Sequence, residues 1–435
     1  MSTVKHEIFW ETKKPEARQG GEKVEGNETA DVIIIGGGMA GLAAADRLTS
    51  AGKKVILVEK DYVGAGASGK SSGMISQDSE LELSDLIENL GKERAQQLWE
   101  FVGASMERMR DNIHTEHIDC DYQEQDYVFV SNNKRSMKKV YREFESRNKL
   151  GYESRVYTDK DIHDLLGSKG YEGALRYPGT YGINSYLYAQ GMKGVLQRKG
   201  AKVYEHSEVT SVGNGKVVAN GCTLEASHVF ICVDRFLPSL HRLPLSVYHV
   251  ETYIAMSQPL TDEEIKKIFP TGNLLVCDSE IIYQYYRVTG DNRLLIGGGD
   301  FLTSYAPYIS KHPEHILPKL TKYLKKKFPQ VTITPEYIWP GMLGVSKDLV
   351  PIAGQDKTDP TLYYVAGATG LAWAAGLGDY LAEKVLDGRN DYDELFDPYR
   401  KFPFDPVLKT VQPVISTLMA FGISHAFVKY LRQIF

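Results

Sequence analysis

The sequence predicts an α/β protein in which a doubly wound, largely parallel sheet is scattered along the chain and interrupted by an antiparallel sheet with helices. Three observations carry this. Short apolar, β-branched runs stand at Asp31 to Ile35, Val55 to Val58, Val229 to Val233 and Tyr363 to Ala366, as expected of strands covered on both faces. The first two flank a helix-forming stretch and complete a strand–helix–strand unit in about 30 residues. From His249 to Gly299 the pattern is instead β-rich, with tight-turn residues between its runs.

The chain has 435 residues, 42% of them hydrophobic and 25% charged, which suits two or three globular domains and excludes low-complexity disorder. Asp and Glu total 56 against 51 Lys and Arg, a net charge of -5, and this argues against a general nucleic-acid binder. The cysteines Cys120, Cys222, Cys232 and Cys277 form no CxxC pair, so neither a zinc site nor a disulfide framework is expected, and a reducing compartment fits. No apolar run reaches the ~18 residues that cross a bilayer. Residues Met1 to Ala30 mix acids and bases, unlike a secretory or transit signal, so a cytoplasmic protein is expected.

Taken in order, Lys13 to Asn27 reads as a flexible arm, preceded by Phe9-Trp10, which belongs either to a disordered tail or to a tail docked on the body. After the first strand come Gly36-Gly37-Gly38-Met39-Ala40-Gly41 and a helix from Leu42 that ends at Gly52. The second strand closes on Glu59. Ser79 to Met109 is helical in pattern, Tyr127 to Val130 a strand, and Ser136 to Asn148 a charged surface helix. Ser185 to Lys199 is a helix, with Asn184 or Ser185 as its N-cap, leading into the strand Lys202 to Tyr204. Glu208 to Leu224 reads as a meander turning at Gly213-Asn214-Gly215 and Asn220-Gly221. Thr252 to Met256, Ile281 to Val288 and Arg293 to Ile296 are strand candidates. Glu314 to Phe328 is a lysine-rich helix with a solvated face, and Ala374 to Leu386 is the last helix of the body.

The chemistry lies in Gly36, Gly38 and Gly41. These follow a buried strand and open a helix, and an acid, Glu59, ends the next strand 23 residues after Gly36. That context makes a dinucleotide fingerprint. Gly36 permits the turn, Gly38 admits a pyrophosphate to the helix N-terminus, Gly41 lets helix and strand pack closely, and Glu59 accepts from a ribose. An acid there disfavours a 2′-phosphate, leaving NAD or FAD. The long run of small residues from Val63 to Met74 suits backbone passing close to a bulky extended ligand.

That run resembles the glycine- and serine-rich loop of the D-amino-acid-oxidase-like (glycine and sarcosine oxidase) family of FAD-dependent oxidoreductases. The resemblance continues at Asn184 to Val209, Val229 to Leu240, Tyr285 to Gly299, Trp339 to Gly354 and Tyr363 to Gly388. Its texture is nearest to the gamma-glutamylputrescine oxidoreductase branch, the short Trp-bearing arm included. It implies a Rossmann-like FAD-binding domain with an inserted substrate domain of antiparallel β-sheet plus helices. The implied boundaries are an arm at 1–29, an FAD-binding domain at 30–78, 153–236 and 337–392, a substrate domain at 79–152 and 237–336, and a tail at 393–435. The implied cofactor contacts are Gly36, Gly38, Met39, Ala40, Gly41, Glu59, Lys60, Ala67, Ser68, Ser72, Gly73, Met74, Val209, Gly341, Gly370 and Leu371.

Departures from the family pattern are informative. Leu343 and Gly370 stand where glycine-oxidase-like members carry carboxylate-binding arginines, which makes a simple α-amino acid a poor substrate. Leu295 replaces an oxygen-activating lysine. No Cys or His stands where members with covalent flavin carry one, so non-covalent FAD is expected. Tyr283, Tyr285, Arg287 and Trp373 are the candidates for lining the site, Tyr283 and Tyr285 sharing a strand face opposite Tyr286. No catalytic residue and no metal site stands out. The expected activity is oxidation of an amine C–N bond by hydride transfer to flavin, with oxygen or a quinone as acceptor. An amino-acid or 2-hydroxy-acid oxidase with a relocated clamp and a non-catalytic flavoprotein are the alternatives. Val411 to Phe435 reads as an apolar helix that packs on the body, joins subunits of a homo-oligomer, or attaches peripherally to the inner face of a membrane.

Overall fold

The computed structural model describes residues 4–78, 80–235, 240, 243, 246–280, 283–299, 313–346 and 348–401. The expected helix at 411–435 lies outside the described residues. The first sheet has the order Val209–Gly213, Lys216–Ala219, Cys222–Ile231, Glu28–Ile35, Val55–Val58, Lys202–Tyr204, with Leu362–Ala366 beside Cys222–Ile231 and Ile352–Gln355 beside Leu362–Ala366. Its centre is parallel: Ile33 faces Ile56 on one side and Val229 on the other. All four residues of Val55–Val58 are buried, as the unbroken apolar run predicts. The third apolar run proves to be the second half of the long strand Cys222–Ile231, whose first half closes the meander. Asn214 and Gly215 have φ of 50° and 72°, and Asn220 and Gly221 have 49° and 78°, the left-handed pairs of tight hairpins.

The second sheet runs Pro335–Ser346, Val247–Pro259, Arg293–Gly298, Tyr285–Val288, Leu274–Asp278, Asp126–Ser131, Gly173–Tyr177, Arg155–Thr158. It is antiparallel apart from one parallel pair, Leu274–Asp278 with Asp126–Ser131. Sheet membership redraws the expected boundaries. Arg155–Thr158 and Gly173–Tyr177 belong to this sheet because they pair in turn onto Asp126–Ser131. Pro335–Ser346 belongs to it because it runs in register along Val247–Pro259 from Ser346↔Val247 to Tyr337↔Met256. A small third sheet of Met74–Ile75, Tyr181–Gly182 and Gln123–Glu124 bridges the two.

Other departures have local causes. The helical stretch after Ser79 is two helices, Leu83–Leu90 and Lys92–Thr115, broken at Gly91, whose φ is 83°. The Phe9-Trp10 pair is docked on the body: Phe9–Lys13 and Pro15–Arg18 form 3-10 turns, and Phe9 and Trp10 are 3% and 1% exposed against Tyr337, Trp339 and Leu295, while most of 13–27 is exposed. In the lysine-rich helix Leu317–Lys327, four lysines face solvent, but Lys327 is buried. Its ammonium lies 3.5 Å from the Tyr171 ring centroid and donates to Asn132 Oδ1 and the Gly170 carbonyl, both at 2.8 Å. Burial pushes its pKa down to about 8. No helix among the described residues is long and apolar enough to cross a membrane.

Candidate functional site

The turn after the first strand is built from glycines for two different reasons. Gly36 has φ 108°, and a Cβ there would overlap the Cys232 carbonyl. A Cβ on Gly41 would overlap the Gly36 carbonyl. Those two glycines are needed by the protein's own packing. Gly38 differs, since its Cβ would meet only Ser68, at 3.0 Å from Oγ. Gly38 is the N-cap of the helix Met39–Ser50, which also carries Ala40, and has no side chain of its own to cap that end. The Met39 amide donates to Ser68 Oγ at 3.0 Å.

Glu59 joins the fingerprint to the next loop. Its Oε2 accepts from the Gly37 amide at 2.8 Å and its Oε1 from Asp61 at 3.0 Å. Burial raises its pKa against these two bonds. Each oxygen keeps a lone pair for a ribose hydroxyl. Lys60 is exposed and lies 3.9 Å from Asp61. Val209 stands two residues beyond Ser207, whose amide donates to the Glu59 carbonyl at 2.9 Å.

The serine-rich loop is held by donors from three distant parts of the chain. The Lys70 carbonyl accepts from Trp339 Nε1 at 3.0 Å, Ser71 from Trp10 Nε1 at 2.8 Å, and Ser72 from Arg287 Nε at 2.9 Å. Gly73, with φ 69°, then passes so close to Ile183 that a Cβ would overlap its carbonyl. Arg287 also donates from Nη2 to that Ile183 carbonyl at 2.6 Å. Trp10→Phe keeps an aromatic ring, but deletes one donor and part of the buried indole volume. It is expected to lower stability by about 1 kcal/mol, read as a fall in melting temperature.

Beside this loop lies a cleft of about 310 Å³. Ala67, Ser68, Ser72 and Met74 line one part of it, and Gly341, Leu343, Gly370 and Leu371 another. Tyr283 and Tyr285 also line it, with ring centroids 6.0 Å apart. The Tyr283 hydroxyl donates to Glu80 at 3.1 Å, and the Tyr285 hydroxyl lies 3.4 Å from Thr252 Oγ1. Tyr286 points to the opposite face, against Phe269 and Phe328, as the alternation predicts.

Arg287 and Trp373 do not line the cleft. Arg287 is fully buried with its donors turned on backbone carbonyls, and burial pushes its pKa down to about 10. Trp373 is buried in the core, and its Nε1 donates to the Gln77 carbonyl at 3.1 Å. Both are positioning residues. The sequence reading also passed over an acidic wall. Asp78, Glu80, Glu82, Asp85, Glu251, Asp278 and Glu280 line the cleft, against three cationic side chains, Lys70, Lys139 and Arg142. Arg142 is already tied to Asp85 and Glu88. The alternating acids from Asp78 to Glu82, directly after the loop, were the available signal.

The model of the family described as FAD dependent oxidoreductase, with the short name DAO, matches residues 31–384. The chain belongs to this D-amino-acid-oxidase-like family. The chain is 27% identical to gamma-glutamylputrescine oxidoreductase of Escherichia coli, over 87% of this chain and 88% of that one. It is 28% identical to a Haemophilus influenzae protein named "Probable oxidoreductase OrdL", over 82% and 83%. The crystal structure of glycine oxidase from Geobacillus kaustophilus superposes with a TM-score of 0.72 at 21% identity, covering 86% of this chain and 99% of that one, and so shares the fold. FAD fits the residues present. The open face of Gly38 at the helix N-terminus, the Glu59 carboxylate and the cleft beside Ser72 and Gly370 suit in turn an anionic, a hydroxyl-bearing and a flat ring moiety.

Proposed function

We propose that this protein oxidises the C–N bond of an amine, with FAD held non-covalently. One observation carries the reading: among the described residues the cleft is walled by seven carboxylates and three cations, Leu343 and Gly370 supply no arginine at their positions, and the one arginine in the lining, Arg142, is tied to Asp85 and Glu88. A substrate carboxylate entering such a wall would be buried among like charges without a bidentate partner. A substrate amine meets acceptors and aromatic faces. Gamma-glutamylputrescine oxidoreductase, a relative named for an amine-bearing compound, supports the same reading.

FAD, when bound, supplies the hydride acceptor. The chain's own part is to bind and orient. Gly38 and the helix Met39–Ser50 would hold the diphosphate, Glu59 the ribose, and the loop around Ser72 and Gly73 would pass beside the ring system. Tyr283 and Tyr285 keep their protons, since burial pushes the Tyr285 pKa up to about 12 and the Glu80 carboxylate, with burial, also raises that of Tyr283. They present neutral rings and hydroxyls to the amine. Hydride leaves only from the carbon beside a neutral nitrogen, so the reacting nitrogen gives its proton to water before it is enclosed, while a nearby carboxylate favours the charged form of any second nitrogen. The imine then hydrolyses in water. Oxygen or a quinone is the acceptor in this proposal, in a cytoplasmic protein whose C-terminal segment provides any subunit or membrane contact.

Anaerobic flavin reduction tests the reading. Alkylamines and N-substituted amines are expected to reduce the flavin at least about a hundredfold more efficiently than glycine or D-alanine, a ratio worth ~3 kcal/mol. Efficient reduction by D-alanine would overturn it, and flavin remaining with acid-precipitated protein would overturn the non-covalent assignment.

A further inference from the structure

The acidic wall contains one group whose charges the protein does not balance. Asp78, Glu82 and Glu143 place carboxylate oxygens within 4.8 Å of one another. Arg147 is the guanidinium among them, donating from Nε to Glu143 at 2.8 Å and from Nη2 to Asp78 Oδ1 at 3.3 Å. Its plane also covers the Tyr177 ring at 3.6 Å. Glu143 is satisfied, because its second oxygen accepts the Ser84 amide at 2.8 Å. Asp78 is not. It is 7% exposed, and its buried Oδ2 has no hydrogen-bond donor among the described residues apart from the facing carboxyl of Glu82. Asp78 and Glu82 both line the cleft, whereas Glu143 does not.

Two carboxylates cannot face each other out of water unless a proton or a cation lies between them. The protein alone answers with a proton: burial pushes the Asp78 pKa up to about 6, and burial with Asp78 and Glu143 pushes that of Glu82 up as well. An ammonium carries three N–H donors, enough for Asp78 Oδ2 and the Glu82 oxygens. A metal ion suits the group poorly, because a guanidinium already bonds two of the three carboxylates. The lining of the same cleft includes Tyr127, Phe129 and Tyr283, whose ring faces suit methylenes.

We infer that the substrate carries two cationic groups, as a linear diamine or polyamine does: one nitrogen is presented beside Ser72 and Gly370, and a second, as ammonium, is held by Asp78 and Glu82. This rests on the amine reading above and narrows it. The second ammonium replaces the shared proton, so affinity separates diamines from monoamines of equal length.

The test uses the full-length holoenzyme at neutral pH with 1-aminobutane, 1,4-diaminobutane, 1,5-diaminopentane and a linear triamine. At least one diamine or triamine is expected to show a KM about tenfold or more below that of the monoamine, the scale of two charge-assisted hydrogen bonds. Glu82→Gln and Asp78→Asn are expected to bring that ratio towards one. Equal KM values for monoamine and diamines in the unaltered enzyme would overturn the inference and leave the amine reading standing. If no amine reduces the flavin, the amine reading falls. The subsite is then judged by thermal shift, where stabilisation by diamine over monoamine, lost in Glu82→Gln, supports it and its absence overturns it. Stabilisation by micromolar Mg²⁺, Ca²⁺ or Zn²⁺ that depends on Asp78 would make the group a metal site and also overturn it.

Discussion

Gly38→Val will give a folded protein without FAD. The three fingerprint glycines differ in what surrounds them, and this decides the outcome. Side chains at Gly36 and Gly41 would collide with the carbonyls of Cys232 and Gly36, so substitution there breaks the turn itself. At Gly38 the sole neighbour of an added Cβ is Ser68, whose hydroxyl end can rotate. The methyls of valine would project over the helix N-terminus, where a pyrophosphate must approach the amides closely. The expected loss in FAD affinity is at least about a thousandfold, or ~4 kcal/mol. The stability of the apoprotein should change by about 1 kcal/mol, the cost of a poor N-cap. Flavin absorbance per chain and a thermal melt of the apoprotein read the two effects separately. Stoichiometric flavin in the variant would remove the fingerprint's role.

Arg287→Met carries the largest expected loss of stability. The side chain is fully buried and donates to Ser72 and Ile183, at 2.9 and 2.6 Å, which flank the sharp turn at Gly73. The backbone has made room for the guanidinium: a Cβ at Gly182 would lie 2.7 Å from Nη1 and one at Gly73 3.0 Å from Nη2. Methionine fills most of the volume and supplies no donor. Two carbonyls lose their partners at about 1–3 kcal/mol each, so a total near 3 kcal/mol or above is expected. Arg287→Lys should recover little of it, because one ammonium cannot reproduce the fork. Urea unfolding measures the difference, and a change under about 1 kcal/mol would show that the two tryptophans hold the loop without help.

What the sequence disclosed and what it hid follow the range of the forces involved. Val55–Val58, the Asn184 cap, whose side chain accepts from the Tyr186 and Leu187 amides, and the Asn220-Gly221 turn are determined by neighbours in the chain. All were legible. So were Gly36, Gly38 and Gly41, since their spacing is local to one turn. Partners chosen at long range were not. Nothing in Gly173–Tyr177 announces Asp126–Ser131 as its neighbour, and nothing in Pro335–Ser346 announces Val247–Pro259. Lys327 was masked by the exposed lysines around it. Arg287 lay on the expected strand, and Trp373, expected on the glycine loop before Ala374, lies in the helix Leu371–Asp387, but the side each presents is set by distant carbonyls at Ser72 and Gln77. The acidic wall draws on Asp78 to Asp85 and on Asp278 to Glu280, and only the folded chain brings them to one cleft.

The grip on Lys70, Ser71 and Ser72 also has a direction in time. Its donors are residues 10, 287 and 339, so the ribosome makes one before the loop and two long after it. At cellular rates of translation, Trp339 emerges on the order of tens of seconds after Ser72. Through that interval the nascent polypeptide displays its whole glycine fingerprint but has no finished seat for the flavin ring. The first strand waits as well, for its partner Cys222–Ile231. Flavin loading is therefore tied to completion of the body, and a prematurely terminated product ending before Trp339 lacks one of the donors that shape the seat.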